Sequence, residues 1–398
     1  TSSPPETEGS KCWIQSTRSV RNSHGKLYMT GKKILFHTVN GNGLGHLVRT
    51  VAIANAVRRR EPDSQIVILT SCEETGIAWR QGHTCIKVPS HEGIRVSGYP
   101  RPHMLRALFA MTQAVFENLR PDVLFADAFP IGVHRELEPM FNQPSLHKIL
   151  NFQYYDGIFT APYLAAMTRY DRIVVAYPPV FLDALPVKLG DDVEIGPPVV
   201  FGDADGHFDR AQARHVLGLP ADGPLVLATC GGGGNPDTSR LREQIITLAR
   251  SLPDIVFALP RGPLSIESRG DDLPPNVHSF VYFPLSEYLG AFDAAVATTG
   301  HNTVYEHLRA GIPTVWCPLG IPSKDQVHNA TKLADNGLGQ MAELPDWSGI
   351  EDALMNLLEP DVAARHGGEN ARSGALRRRR QHRPDHSRSL TVGNQIQR

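Results

Sequence analysis

Short apolar runs rich in β-branched residues alternate with amphipathic stretches of helical period along the first half of the chain. The apolar runs cover residues 34–39, 66–69, 123–126 and 173–175, and the helical patterns cover 47–59 and 105–119. Alternation of strand and helix is typical of a parallel sheet with helices on both faces. The sequence therefore predicts an α/β domain over residues 32–185.

The same alternation restarts after an irregular, proline-containing segment. Residues 186–200 include Pro186, Pro197 and Pro198, and we interpret them as a linker. Apolar runs then recur at 225–229, 255–259, 294–297 and 314–317, with helical patterns ending near Arg250 and starting near Thr303 and Lys324. We expect two tandem doubly wound, Rossmann-like domains, 32–185 and 201–360, with a ligand cleft at the carboxyl ends of their strands.

Both ends of the chain lack this pattern. Residues 1–31 are polar and are predicted to be a disordered extension, with Met29 as the expected natural start. Residues 361–398 are basic and include Arg377, Arg378, Arg379 and Arg380; a solvated tail is favoured over a nucleic-acid patch. The chain of 398 residues has a formal net charge of −1, so its overall field attracts neither nucleic acid nor an acidic membrane.

The cysteines indicate a reducing compartment, and the hydropathy pattern shows no candidate membrane span. The five cysteines are scattered and match neither a disulfide framework nor a zinc site: Cys12, Cys72, Cys85, Cys230 and Cys317. No apolar run approaches the roughly 18 residues of a membrane span, and no signal-peptide pattern precedes the first domain. We expect a cytoplasmic protein without a metal or cofactor; peripheral membrane association stays open.

A first glycine loop, with Gly43 and Gly45, leads from the first strand to His46 at the start of a helix. The spacing differs from a dinucleotide fingerprint, and no acidic residue follows the second strand. His46 is a candidate general base, or alternatively a capping or loop-packing residue. Asp127 ends another strand at the same predicted edge, where it would orient His46, hold the acceptor or cap the next segment.

A second loop joins a buried strand to a helix. Its glycines leave backbone N–H groups available to a phosphate, although four consecutive glycines also occur in flexible linkers: Gly231, Gly232, Gly233 and Gly234.

A third turn, at Gly300 and His301, begins the helix pattern after the strand at 294–297. Thr303 and Glu306 have capping-box spacing, so Glu306 is either a cap or a carboxylate for ribose hydroxyls. Ser323 and Gln326 repeat that spacing, and Asp325 and Gln326 could instead contact vicinal sugar hydroxyls.

Three ordered motifs resemble the donor domain of glycosyltransferase families 1 and 28. They are Gly300-His301-Asn302-Thr303-x-x-Glu306, Ala310-Gly311-Ile312-Pro313 and Asp325-Gln326-x-x-Asn329-Ala330. The loop Gly43-Leu44-Gly45-His46 is similar to the acceptor-domain loop of family 28 enzymes that act in peptidoglycan synthesis. The resemblance extends over about residues 32–360. It departs from family 1 where Asn302 and Thr303 follow the histidine in place of glycines.

This resemblance implies a GT-B fold and metal-independent, inverting transfer of a hexose from a UDP- or dTDP-sugar. By analogy, Glu306 binds the ribose, His301 and the 231–234 loop bind the diphosphate, Asp325 and Gln326 bind the hexose, and His46 is the base. Gly300, Asn302 and Thr303 complete the expected donor site.

Two alternatives remain open. The loop around His46 also resembles nucleotide-sugar hydrolases, in which the histidine activates water. A non-catalytic donor-binding subunit would keep the donor contacts without needing His46. For a transferase, the acceptor is either a soluble natural product, slightly favoured by the sequence, or a lipid.

Overall fold

The computed structural model describes residues 20–21, 27–28, 31–40, 43–153, 161–182, 193–202, 208–231, 236–262, 264, 273–281, 284–320 and 324–359. Most of these residues belong to strands or helices that alternate along the chain. The strands are β1 Val20–Arg21, β2 Leu27–Tyr28, β3 Lys33–Thr38, β4 Gln65–Thr70, β5 Thr84–Lys87, β6 Val123–Ala128, β7 His147–Phe152, β8 Arg172–Ala176, β9 Val193–Gly196, β10 Leu225–Thr229, β11 Val256–Pro260, β12 Val277–Phe280, β13 Ala294–Ala297, β14 Thr314–Trp316 and β15 Gln340–Met341.

The α-helices follow the strands in the manner expected of doubly wound domains. They are α1 Gly45–Arg60, α2 Gly76–Arg80, α3 His91–Val96, α4 Arg101–Leu119, α5 Ala161–Met167, α6 Pro179–Leu182, α7 Arg210–Val216, α8 Pro236–Ser251, α9 His301–Ala310, α10 Lys324–Asp335 and α11 Ile350–Leu358. Two 3₁₀ helices span Glu138–Asn142 and Ser286–Ala291. In the part of the chain that the structure describes, no helix is long and apolar enough to cross a membrane.

The strands form two parallel sheets, which confirms the predicted α/β architecture. The first sheet has the order β5-β4-β3-β6-β7-β8-β9, and the second has the order β12-β11-β10-β13-β14-β15. In each sheet the strand order reverses beside a central strand, at β3 and β6 in the first and at β10 and β13 in the second. Ligands of open α/β sheets bind outside such reversal points. The loops after β3, β6, β10 and β13 are therefore the expected site.

Successive side chains of each central strand point to opposite faces of the sheet and pack in two different cores. Leu35 packs in the core on one face of the first sheet, and its neighbour Phe36 packs on the opposite face. In β10, Val226 and Leu227 divide in the same way between the two faces of the second sheet. Because both faces of each sheet are covered by helices, the middle of each strand is a continuous apolar run.

Apolar packing also continues from one domain to the other. Tyr177 and Phe181, which follow β8, belong to the same buried cluster as Val304 and Tyr305 of α9 and Leu333 of α10. The interface between the two domains is therefore partly an extension of the first core.

Several segments differ from the sequence-based expectations. Strand β9 lies inside the predicted linker 186–200 and pairs in parallel with β8, so the first sheet continues to Gly196. Strands β1 and β2 pair antiparallel within the extension predicted to be disordered. The remainder of that extension and the tail 361–398 lie outside the described residues. Short strands such as β5 and β7 escaped the apolar pattern because polar residues interrupt them.

Candidate active site

The loop after β3 brings His46 to the second position of α1. Asn40, buried at the start of the loop, accepts a hydrogen bond through Oδ1 from the Leu47 backbone N–H at 2.8 Å. This contact satisfies one of the N–H groups that a helix start leaves without an intrahelical acceptor. The Asn40 backbone is in turn fixed by Ser71, whose hydroxyl donates to the Asn40 carbonyl at 3.0 Å. Helix α1 begins at Gly45, two residues before its predicted start.

Asp127, at the end of β6, forms a buried ion pair with Arg49. Arg49 lies on α1 one turn beyond His46, and its Nε donates to Asp127 Oδ2 at 2.9 Å. Its Nη2 donates to Asp127 Oδ1 at 2.5 Å. His46 Nδ1 lies 3.2 Å from the same Oδ1. The carboxylate thus faces α1, and the structure gives it no capping contact with the segment after β6.

The contacts of His46 Nδ1 indicate which nitrogen of the ring is basic. Arg49 Nη2 carries two hydrogens, and its neighbours are Asp127 Oδ1, Gln153 Oε1 at 2.8 Å and His46 Nδ1 at 2.9 Å. Asp127 Oδ1, a carboxylate oxygen, can only accept, so its contact with Nδ1 favours the tautomer in which Nδ1 carries the hydrogen and donates it. The lone pair of the imidazole is then on Nε2.

Electrostatics hold the pair as carboxylate and neutral imidazole. Burial alone would raise the pKa of Asp127, but the Arg49 guanidinium and His46 outweigh it and keep that pKa well below its usual range. Burial lowers the pKa of His46, assisted by the Arg49 cation and opposed by Asp127. A neutral imidazole oriented by a buried carboxylate is equipped to accept a proton.

The donor-side loops come from the reversal point of the second sheet. Gly231 follows β10 with φ of 81°, a left-handed conformation that favours glycine. Gly232, Gly233 and Gly234 lie outside the described residues. After β13, Gly300 is the N-cap of α9, so His301, Asn302 and Thr303 form its first turn. Thr303 is inside the helix, which excludes the alternative that it begins a capping box.

Glu306 occupies the second turn of α9 and is partly buried. Burial raises its pKa to about 7, although Arg309 acts in the opposite direction. A carboxyl poised near neutrality in a cleft is typical of a functional position.

Thr299 links α10 to the start of α9. Its hydroxyl donates to the Gln326 carbonyl at 2.7 Å, and its own carbonyl accepts from Asn329 Nδ2 at 3.2 Å. The Gln326 side-chain Oε1 accepts from the Leu319 backbone N–H at 3.1 Å. The Asp325 side chain and Ser323 lie outside the described residues.

The two walls meet where the first turns of α1 and α9 face each other. Asn302 Nδ2 donates to the Gly45 carbonyl at 3.0 Å. The His301 ring contacts Tyr177 of the first domain edge-on at 5.5 Å between centroids. Burial, with smaller contributions from Arg49 and His46, lowers the pKa of His301 to about 3. His301 is therefore a neutral imidazole beside the candidate base.

Sequence reasoning assigned no role to Arg49 or Tyr177 and did not connect Gln153 with His46. Arg49 had a usable signal, because residues three apart on a helix share a face and Arg49 therefore lies beside His46. No signal in the sequence indicated the contacts of Gln153 and Tyr177, since these contacts depend on which strands are neighbours. Among the described residues, no group of three or more His, Cys, Asp or Glu side chains is arranged to hold a metal ion.

Comparison with known proteins identifies the class. Residues 262–375 match the model of the glycosyltransferase family 28 C-terminal domain. Among solved structures, spinosyn rhamnosyltransferase SpnG superposes with a TM-score of 0.62 at 16% identity, covering 86% of this chain and 95% of that one. The chain is a glycosyltransferase with a GT-B fold.

Its sequence relatives narrow the description. A UDP-N-acetylglucosamine--N-acetylmuramyl-(pentapeptide) pyrophosphoryl-undecaprenol N-acetylglucosamine transferase from a Nocardioides species is 26% identical over 343 residues, covering 81% of this chain and 88% of the relative. The enzyme of the same name from Clavibacter michiganensis is 25% identical over 82% of this chain and 88% of its own length. The chain is thus a hexosyltransferase, and residues 262–375, which include most of its donor half, match the family 28 C-terminal domain.

Proposed function

We propose that this enzyme transfers N-acetylglucosamine, with inversion, from UDP to a hydroxyl of a pyrophosphoryl-lipid acceptor. The observation that carries the proposal is the pairing of His46 with Asp127 directly opposite the first turn of α9. One wall of the cleft therefore supplies a base, and the other supplies a helix N-terminus for a departing diphosphate. The names of the sequence relatives support the sugar, the nucleotide and the lipid-linked acceptor.

The reaction is a single displacement. His46 Nε2 accepts the proton of the acceptor hydroxyl while the oxygen of that hydroxyl attacks the anomeric carbon. The bond from that carbon to the diphosphate oxygen breaks, and UDP leaves with the electron pair from the opposite face, so the configuration inverts. Asp127 stabilises the imidazolium that forms, as buried carboxylates do in other base-activated sites.

Charge on the leaving diphosphate would be met by protein groups. The N–H groups at the start of α9, the ring N–H of neutral His301 and the 231–234 loop are the proposed contacts. Glu306 would accept hydrogen bonds from the ribose hydroxyls, and Gln326 and Asp325 would contact the hexose. We propose that these groups act without a metal, and full transfer rates in the presence of EDTA are the expected result.

Ligand-induced stabilisation tests the donor site. UDP and UDP-N-acetylglucosamine should raise the melting temperature of the parent, because a ligand present at 100 times its Kd stabilises the native state by about 2.7 kcal/mol. Glu306→Ala should abolish the shift. Glu343→Ala, at an exposed position of the same domain, should retain it. A parent that no nucleotide stabilises would refute the proposed donor site.

Product analysis tests the reaction. With radiolabelled UDP-N-acetylglucosamine, label should enter the pyrophosphoryl-lipid acceptor, and little free sugar should form without acceptor. Release of free sugar at the same rate with and without acceptor would establish a hydrolase instead. Donor binding without turnover, unchanged by His46→Ala, would indicate a binding subunit. Transfer to a soluble alcohol but not to the lipid would refute the acceptor assignment alone.

A further inference from the structure

The side-chain amide of Asn302 joins the donor domain to the peptide that carries the candidate base. Its Nδ2 donates to the Gly45 carbonyl at 3.0 Å, and that carbonyl belongs to the peptide bond between Gly45 and His46. Asn302 is the second residue of α9, and Gly45 is the first residue of α1. The hydrogen bond therefore connects the first turns of the two helices that face each other across the cleft.

The same hydrogen bond fixes the orientation of the amide. A backbone carbonyl accepts hydrogen bonds, and the nitrogen is the only donor of the Asn302 side chain, so Nδ2 must point to Gly45 and Oδ1 must point away from it. Asn302 Oδ1 is buried and has no hydrogen-bond partner among the described residues. A buried acceptor without a donor is costly, so a ligand that supplies an O–H or N–H there gains binding energy.

The chemistry of that ligand is restricted. An ionised diphosphate offers acceptors only, and cannot satisfy Oδ1. A hydroxyl or the acetamido N–H of a hexosamine can. Other contacts between the domains near this point, such as the rings of Tyr177 and His301 at 5.5 Å, lack a comparable directional link to a reacting group.

We infer that Asn302 is a positioning residue that couples the sugar of the donor to the placement of His46. Its oxygen accepts a hydrogen from the sugar while its nitrogen holds the Gly45–His46 peptide, so that donor occupancy and base alignment are joined through one amide. This inference rests on the proposed function and deepens it.

Two substitutions separate the two halves of the amide. Asn302→Asp keeps the acceptor oxygen and loses the N–H that reaches Gly45. Asn302→Leu keeps the size and loses both. Asn336→Asp is the matched control, because Asn336 Nδ2 also donates to a backbone carbonyl, that of Lys332 at 2.8 Å, but at an exposed site within one domain.

Steady-state kinetics with UDP-N-acetylglucosamine give the main readout. We expect Asn302→Asp to lower kcat about tenfold, because one hydrogen bond is lost at the base. The donor KM should rise as well, since the new carboxylate repels the diphosphate. The acidic limb of its kcat–pH profile should move upward, since the new carboxylate favours the protonated form of His46 and opposes the effect of Arg49. Burial and Asp127 act on His46 equally in both proteins.

Binding measurements isolate the sugar contact. Asn302→Leu should weaken the binding of UDP-N-acetylglucosamine about fivefold while leaving that of UDP within twofold. Asn302→Asp should weaken the binding of both by the same factor, because its carboxylate repels the diphosphate but keeps the acceptor oxygen. Equal weakening of UDP and UDP-N-acetylglucosamine by Asn302→Leu would overturn the sugar contact. A kcat for Asn302→Asp equal to that of Asn336→Asp would overturn the positioning role.

A structural readout separates this inference from the proposed function. Hydrogen exchange of backbone N–H groups in the first turn of α1 should be faster in both Asn302 variants than in the parent and Asn336→Asp, with no ligand present. Failure of the parent to bind UDP-N-acetylglucosamine would overturn the proposed function and the coupling, even with that faster exchange. Normal parent turnover with no change of exchange and no kinetic change in the variants would overturn this inference alone.

Discussion

Replacement of Arg49 by methionine should destabilise the protein strongly. Asp127 is completely buried, and Arg49 contacts both of its carboxylate oxygens. Removing one member of a buried ion pair leaves an uncompensated charge, which costs about 3–5 kcal/mol. We therefore expect Arg49→Met to lower the free energy of unfolding by about 3 kcal/mol or more at neutral pH, measured by urea unfolding.

The loss of stability in Arg49→Met should be larger at high pH than at low pH. In the parent, Arg49 holds the pKa of Asp127 below its unfolded value, so the carboxylate contributes stability that is present above about pH 4. Without Arg49, burial raises the folded pKa above the unfolded one, and the ionised group then costs stability as pH increases. The difference between parent and variant should consequently be large at pH 7.5 and smaller at pH 5.

Arg210→Met is the matched control for this experiment. Arg210 pairs with Asp293, but the Arg210 side chain is 50% exposed, and exposed pairs contribute less than about 1 kcal/mol. The double variant Arg49→Met/Asp127→Leu should be more stable than Arg49→Met, because it removes the buried charge. If Arg49→Met loses no more stability than Arg210→Met, or loses the same amount at both pH values, Arg49 does not stabilise the fold by neutralising Asp127.

Three further predictions follow from the site. His46→Ala should lower kcat by about 10²–10⁴ with UDP affinity retained, whereas His103→Ala, exposed on α4, should leave turnover unchanged; equal turnover of the two variants would contradict a base at position 46. The affinity for UDP-N-acetylglucosamine should fall as pH drops below 7, because Glu306, whose pKa is raised to about 7, is a weaker acceptor of ribose O–H groups once protonated; calorimetry should show a flatter profile for Glu306→Gln, and an equal slope would implicate another group. Gly231→Ala should lower the free energy of unfolding in urea by about 1–2 kcal/mol, because alanine is strained in the left-handed backbone conformation of this position. Steric overlap does not add to this cost, since the new Cβ meets only an ordinary contact at 3.5 Å. Gly43→Ala, with open space around it, is the control.

Much of the fold could be predicted because strands and helices alternate with clear periods. Strands 225–229 and 294–297 were predicted with the bounds that the structure has, since uninterrupted apolar runs are typical of buried parallel strands. Strand β9 was missed because its residues Val193, Glu194 and Ile195 lie at the sheet edge and are only partly buried. A short edge strand needs no continuous apolar pattern.

The sequence by itself determined the apolar central strands of both sheets, and that glycine-bearing loops follow β3, β10 and β13. It also placed His46 at the start of one helix and Glu306 one turn inside another, because these assignments depend on neighbours within a few residues. Tertiary structure decided which side chains meet. Arg49 reaches Asp127 only because β3 and β6 are adjacent strands, although the two residues are 78 positions apart. The link from Asn302 to Gly45 spans 257 positions and two domains. Local periodicity encodes the elements, whereas the contacts that define the site depend on how two separate sheets are packed against each other.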